Sequence, residues 1–145
     1  MKGKKAVLGL AACLLLLAAG CSISLAQLLE TNWGVVLPGG YAERFEADTG
    51  ASFHGDGVRY HVLEYADDAA LREAFPWREE ASPTLFYGSE REAAAALLDG
   101  LEIPPEFQLP AGDCLYDTVT RDDRSELFLF WHTPDGMLYV VESVL

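Results

Sequence analysis

The chain divides by its hydrophobic pattern into one long uncharged run and a series of short periodic stretches. From Ala6 to Leu29 there are 24 residues without a charge, most of them Leu and Ala. Beyond that run the apolar positions recur at strand or helix spacing. Val58 to Tyr65 (VRYHVLEY) alternates, with Val58, Tyr60 and Val62 on one face and Arg59, His61, Leu63 and Tyr65 on the other. β-Branched and aromatic residues at a period of two predict a strand with one apolar and one mixed face. Tyr41 to Ala47 alternates more loosely and predicts a second strand, with Tyr41, Glu43, Phe45 and Ala47 on one side. Leu115 to Thr120 predicts a third. Glu126 to Thr133 and Met137 to Val144 predict two more, joined by the turn sequence Thr133-Pro134-Asp135-Gly136. In Leu127-Phe128-Leu129-Phe130-Trp131 both faces are apolar, which predicts a central strand covered on both sides.

Two segments carry helical spacing. Ala70, Leu71, Ala74 and Phe75 form one apolar stripe, preceded by Asp67 and Asp68 as caps and ended by Pro76. Ser89-Glu90-Arg91-Glu92 has the S-x-x-E form of a capping box. It opens a helix with Ala94, Leu97, Leu98 and Leu101 along one face and Gly100 as a stop. Asp48 to Gly57 reads as a loop, and the prolines at 104, 105 and 110 make Ile103 to Gly112 an extended surface segment. The expected fold is α+β, an antiparallel sheet of about five strands with two helices in the order ββααβββ.

The leader sets the domain organisation. Lys2, Lys4 and Lys5 precede the apolar run, which reaches Leu17-Ala18-Ala19-Gly20-Cys21. A basic start, an apolar centre and a small-residue site ending at cysteine resemble a bacterial lipoprotein signal, in which Cys21 is lipidated and becomes the first mature residue. Residues 1–21 are then signal and anchor, 22–40 a connector containing Pro38-Gly39-Gly40, and 41–145 a single domain. Two other readings stay open. The uncharged run to Leu29 is long enough for an uncleaved transmembrane helix, with the lysines holding its start in the cytoplasm. Ser24-Leu25-Ala26 also resembles an ordinary secretory cleavage site. All three export the same domain, and the first two hold it on the extracytoplasmic face of the cell membrane.

Charge narrows the partners. Every lysine lies in the leader, so the part after Cys21 carries seven arginines against 23 acids, a formal charge of −16. Such a surface excludes nucleic acid, whose phosphates need basic contacts, and disfavours peripheral binding to anionic lipid. It keeps the domain soluble and fits a basic protein or envelope partner. Of the three cysteines, Cys13 lies in the leader and Cys21 is the lipidation candidate, so Cys114 is left without a disulfide mate. It runs into Leu115 and Tyr116, neither of which is a base, and reads as a small buried apolar residue.

Catalytic motifs are absent: no phosphate loop, no HExxH, no C-x-x-C and no G-x-S-x-G. Nothing in the sequence implies a cofactor. The remaining candidate is Phe53-His54-Gly55-Asp56-Gly57, where flexible glycines present His54 and Asp56 together. A histidine beside a carboxylate acts as a base or binds a metal, and the same residues also make good turn chemistry. His61 and His132 are the other histidines, and a three-imidazole zinc site requires them to meet His54. Among the many aromatics (Tyr60, Tyr65, Tyr87, Tyr116, Tyr139, Trp77, Trp131) most belong in a core. Any exposed subset would mark a binding face. Trp33 suits either the membrane interface or the domain core.

The stretch Asn32-Trp33 to Leu37-Pro38, followed by Ser52-Phe53-His54-Gly55-Asp56-Gly57 and Arg59-Tyr60, resembles small predicted lipoproteins or membrane proteins of Gram-positive, clostridia-like bacteria. The resemblance implies an envelope location and no particular mechanism. Two functions are therefore expected: a tethered, non-enzymatic binding module with an acidic, aromatic face, or an envelope hydrolase or metal-dependent enzyme using His54 and Asp56.

Overall fold

The computed structural model describes residues 23–50, 56–79 and 89–145. In chain order the elements are α1 (Leu25–Trp33), β1 (Tyr41–Asp48), β2 (Gly57–Tyr65), α2 (Ala69–Ala74), β3 (Arg78–Glu79), α3 (Glu90–Leu97), a 3₁₀ turn (Pro105–Phe107), β4 (Cys114–Thr120), β5 (Glu126–His132) and β6 (Met137–Val144). The strands form one antiparallel sheet in the order β1-β2-β6-β5-β4-β3. The α+β class and the antiparallel sheet agree with the sequence. The finer expectation is corrected: among the described residues there are six strands and three α-helices, with a helix leading the order.

The extra helix is α1, in the stretch read as connector. Ser24 caps it, its hydroxyl accepting from the Gln27 N–H while the Gln27 side chain accepts from the Ser24 N–H. Gly34 ends it at φ +67°, a left-handed conformation that glycine adopts without steric cost. Leu29 is fully buried, and Trp33, Val35 and Leu37 join it in the core. The Tyr65 hydroxyl donates to the Pro38 carbonyl at 2.9 Å and fastens the following segment to the sheet. Residues 25–37 therefore belong to the folded domain. The other additional element, β3, is two residues pairing with Tyr116 and Leu115.

The sheet carries a core on each side. Under α1 and α2 lie Leu63, Tyr65, Leu127, Leu129, Trp131, Leu138 and Val140, which Leu71 of α2 joins. On the opposite side Tyr60, Val62, Phe128, Phe130, Tyr139 and Val141 meet Ala94 and Leu98 of α3 and its flank. The 101–109 stretch is no free surface segment. Ile103, Phe107 and Leu109 pack on this second core, and the Tyr60 hydroxyl donates to the Phe107 carbonyl at 2.6 Å. The capping box at Ser89 and Glu92 forms as its spacing predicts. β5 lies inside the sheet with both faces covered.

β6 completes the sheet. It pairs with β2 on one side and β5 on the other, joining strands from both halves of the chain. Its fully buried Glu142 lies in the first core. The Trp33 indole N–H donates to Glu142 Oε1 at 2.6 Å, and Arg59 Nη1 stands 3.6 Å from the same oxygen.

Candidate functional site

The strand β1 does not keep the alternation its sequence suggests. Its register with β2 slips between Glu43 and Phe45: Glu43 faces Leu63, Phe45 faces Val62 and Glu46 faces His61. This bulge inserts Arg44 as an extra residue and inverts the side-chain phase beyond it. Phe45 turns to the second core and stacks on Phe107 at 5.2 Å between ring centroids. Glu46 is brought to the same face as Tyr41 and Glu43. A strict period of two would have put Glu43 and Glu46 on opposite faces.

The result is a mixed cluster of Glu43, Glu46 and His61, with one ligand-capable atom from each lying within 4.8 Å of the others. His61 Nδ1 is 2.6 Å from Glu43 Oε1. The cluster opens into a cleft of about 560 Å³ between the start of α1 and the β1–β2 hairpin. Ile23, Leu25 and Leu28 supply an apolar wall, and Tyr41, Asp48 and Arg59 complete the polar one. Burial, with the Glu43 carboxylate beside it, holds the Tyr41 phenol above its ordinary pKa. That phenol is a neutral hydrogen-bond donor at any physiological pH. The cleft thus offers three carboxylates, an imidazole, a phenol and one guanidinium, a set suited to a cationic or metal-bound ligand.

The sequence-derived candidates fare differently. Cys21 and His54 lie outside the described residues. Asp56 is exposed immediately before β2. The zinc site of three imidazoles is corrected: His61 lies on the first-core face of β2, whereas His132 pairs with Cys114 and Met137 on the second-core face. His132 instead contacts Asp135 in the β5–β6 turn at 2.8 Å. The expectation that most of the aromatics belong in a core agrees with the described residues, and Tyr87 lies outside them. Tyr60, Tyr65, Tyr116, Tyr139 and Trp131 are buried, Trp77 is half-buried, and Trp33 sits in the core. Cys114 is half-buried against the second core, in keeping with a packing role.

Among the described residues no helix is long and apolar enough to cross a membrane. Compared with known proteins, the chain matches no protein family, no curated protein and no solved structure.

Proposed function

We propose that this chain is a membrane-tethered extracytoplasmic binding domain, anchored by a lipid on Cys21, that engages a basic protein or envelope component at the cleft beside its anchor. The observation that carries the reading is position. Ile23 and Ser24 line the cleft, and no more than about 7 Å of extended chain separates Cys21 from Ile23. A ligand held there is held at the membrane surface. The formal charge of −16 after Cys21 attracts cationic groups and disfavours nucleic acid.

The geometry of α1 supports the lipid anchor over its rivals. Cleavage after Ala26 would remove Leu25, Ala26 and the Ser24 cap from a nine-residue helix, and a lost cap alone costs about 1 kcal/mol. A transmembrane helix continuing to Leu29 would compete with the core, because Leu29 is fully buried and Leu25, Ala26 and Leu28 pack against that core. For an enzyme built on His54 and Asp56, His61 and His132 cannot serve one site together from opposite faces of the sheet.

Crosslinking of the tethered protein in its native membranes, followed by capture, tests the proposal. A specific partner should be lost in Cys21→Ala, weakened in Glu46→Gln, and released as salt shortens the reach of exposed charges. Capture that is indifferent to both substitutions and to salt would overturn it.

A further inference from the structure

The two carboxylates that the bulge brings together are not neutralised by any arginine nearby. Arg44, between them in sequence, pairs with Glu64. Arg59, which lines the same cleft, is turned to the buried Glu142. Glu43 has His61 as its only hydrogen-bond or ion-pair partner among the described residues, and Glu46 has none. Two like charges held this close on a rigid sheet repel unless a cation or a shared proton lies between them. Asp48, on the same wall, adds to the negative field.

We propose that Glu43, Glu46 and His61 form a binding site for a divalent transition-metal ion of the Zn²⁺ class. This goes beyond the tethered-domain reading and does not depend on it. One imidazole nitrogen with two carboxylate oxygens is a borderline donor set. Imidazole selects zinc and its first-row neighbours, whereas Ca²⁺ and Mg²⁺ take oxygen ligands. Donors about 2.0–2.2 Å from a tetrahedral ion lie roughly 3.3–3.6 Å from one another. The three atoms already fall within 4.8 Å. His61 and Glu43 must separate slightly from 2.6 Å as the ion replaces the proton between them. Glu46, exposed and without a partner, closes by rotating its side chain. The bulge is the device that permits the site, and bulges recur where a strand must re-aim a side chain. Three protein ligands leave at least one coordination position open, and that position faces the cleft. Such open sites accept water or an exogenous ligand, unlike closed structural ones.

The test is calorimetric titration of the full chain in detergent with Zn²⁺ alone, in chelator-stripped buffer at neutral pH. The expected result is one saturable site, weakened at least about tenfold by Glu46→Gln and by His61→Asn, with the remote Glu102→Gln unchanged. Circular dichroism checks that each variant is folded, and Glu46→Gln, at an exposed position, provides the decisive variant if His61→Asn unfolds. Co²⁺ in place of Zn²⁺ should give visible absorption bands that disappear in the same variants. No saturable binding up to about 100 µM, a constant far weaker than the micromolar range expected of a specific site, would overturn the proposal. So would binding unchanged in Glu46→Gln, or preference for Ca²⁺ over Zn²⁺.

Discussion

Replacing Trp33 by Phe isolates what α1 contributes to the fold. Trp33 is 8% exposed and its indole N–H lies 2.6 Å from Glu142 Oε1, on a side chain with no solvent exposure. Phenylalanine keeps most of the apolar contact and removes the donor. A hydrogen bond to a charged group contributes about 1.5–3 kcal/mol. The smaller ring forfeits on the order of 1 kcal/mol of burial. The carboxylate is poorly placed to absorb the loss, because Arg59 is 3.6 Å away and Glu142 Oε2 already lacks a hydrogen-bond partner. Trp33→Phe should therefore cost about 3 kcal/mol, a large share of a typical domain stability of about 5–15 kcal/mol. Urea unfolding of residues 22–145, followed by far-ultraviolet circular dichroism, measures this as a shift in midpoint at constant slope. Glu142→Gln keeps an acceptor for the indole but removes the buried charge, so Trp33→Phe should cost about 1 kcal/mol less in that background. A loss below about 0.5 kcal/mol, or the same loss in both backgrounds, would refute the buried pairing and return α1 to the status of a connector.

Other outcomes follow from particular contacts. Gly136 has φ +70°, and an added Cβ would stand 2.7 Å from the Tyr65 carbonyl oxygen. Gly136→Ala should therefore destabilise by about 2 kcal/mol or more in the same unfolding assay. Ser89→Ala breaks the capping box of α3 and should cost about 1 kcal/mol, against little change for Ser89→Asp. Burial raises the phenol pKa of Tyr139 to about 12, and those of Tyr60 and Tyr65 also rise through burial. Because these groups are held protonated in the folded state, their contribution is complete below pH 10 and declines as pH rises towards 12 and beyond. Stability measured against pH should fall across that window. A flat profile from pH 10 to 12 would contradict the burial of these rings.

The sequence carried the C-terminal half of the fold plainly. Leu127 to Trp131 is apolar on both faces because β5 is covered by both cores. Pro134-Asp135-Gly136 turns where only glycine fits against Tyr65. Ser89 and Glu92 mark a helix start that needs no tertiary information. α1 was hidden for a physical reason: Leu25, Leu28 and Leu29 prolong the leader's uncharged run, so hydropathy alone assigns them to a membrane. The local signal was Ser24-x-x-Gln27, a capping box in its glutamine form. The Glu43–Glu46–His61 cluster was less legible still. It depends on a bulge that no glycine announces and on a cross-strand register that one strand's sequence does not encode. Residues Arg78 and Glu79 form a strand only because β4 offers an edge to pair with.

We propose that the domain is exported and held at the membrane through Cys21. Intact mass spectrometry of the protein extracted from membranes of its host tests this directly. The expected chain begins at Cys21 and is heavier than its sequence by a diacylglyceryl thioether, with or without a further acyl chain. An unmodified chain beginning at Gln27, or one retaining Met1 to Gly20, would contradict it.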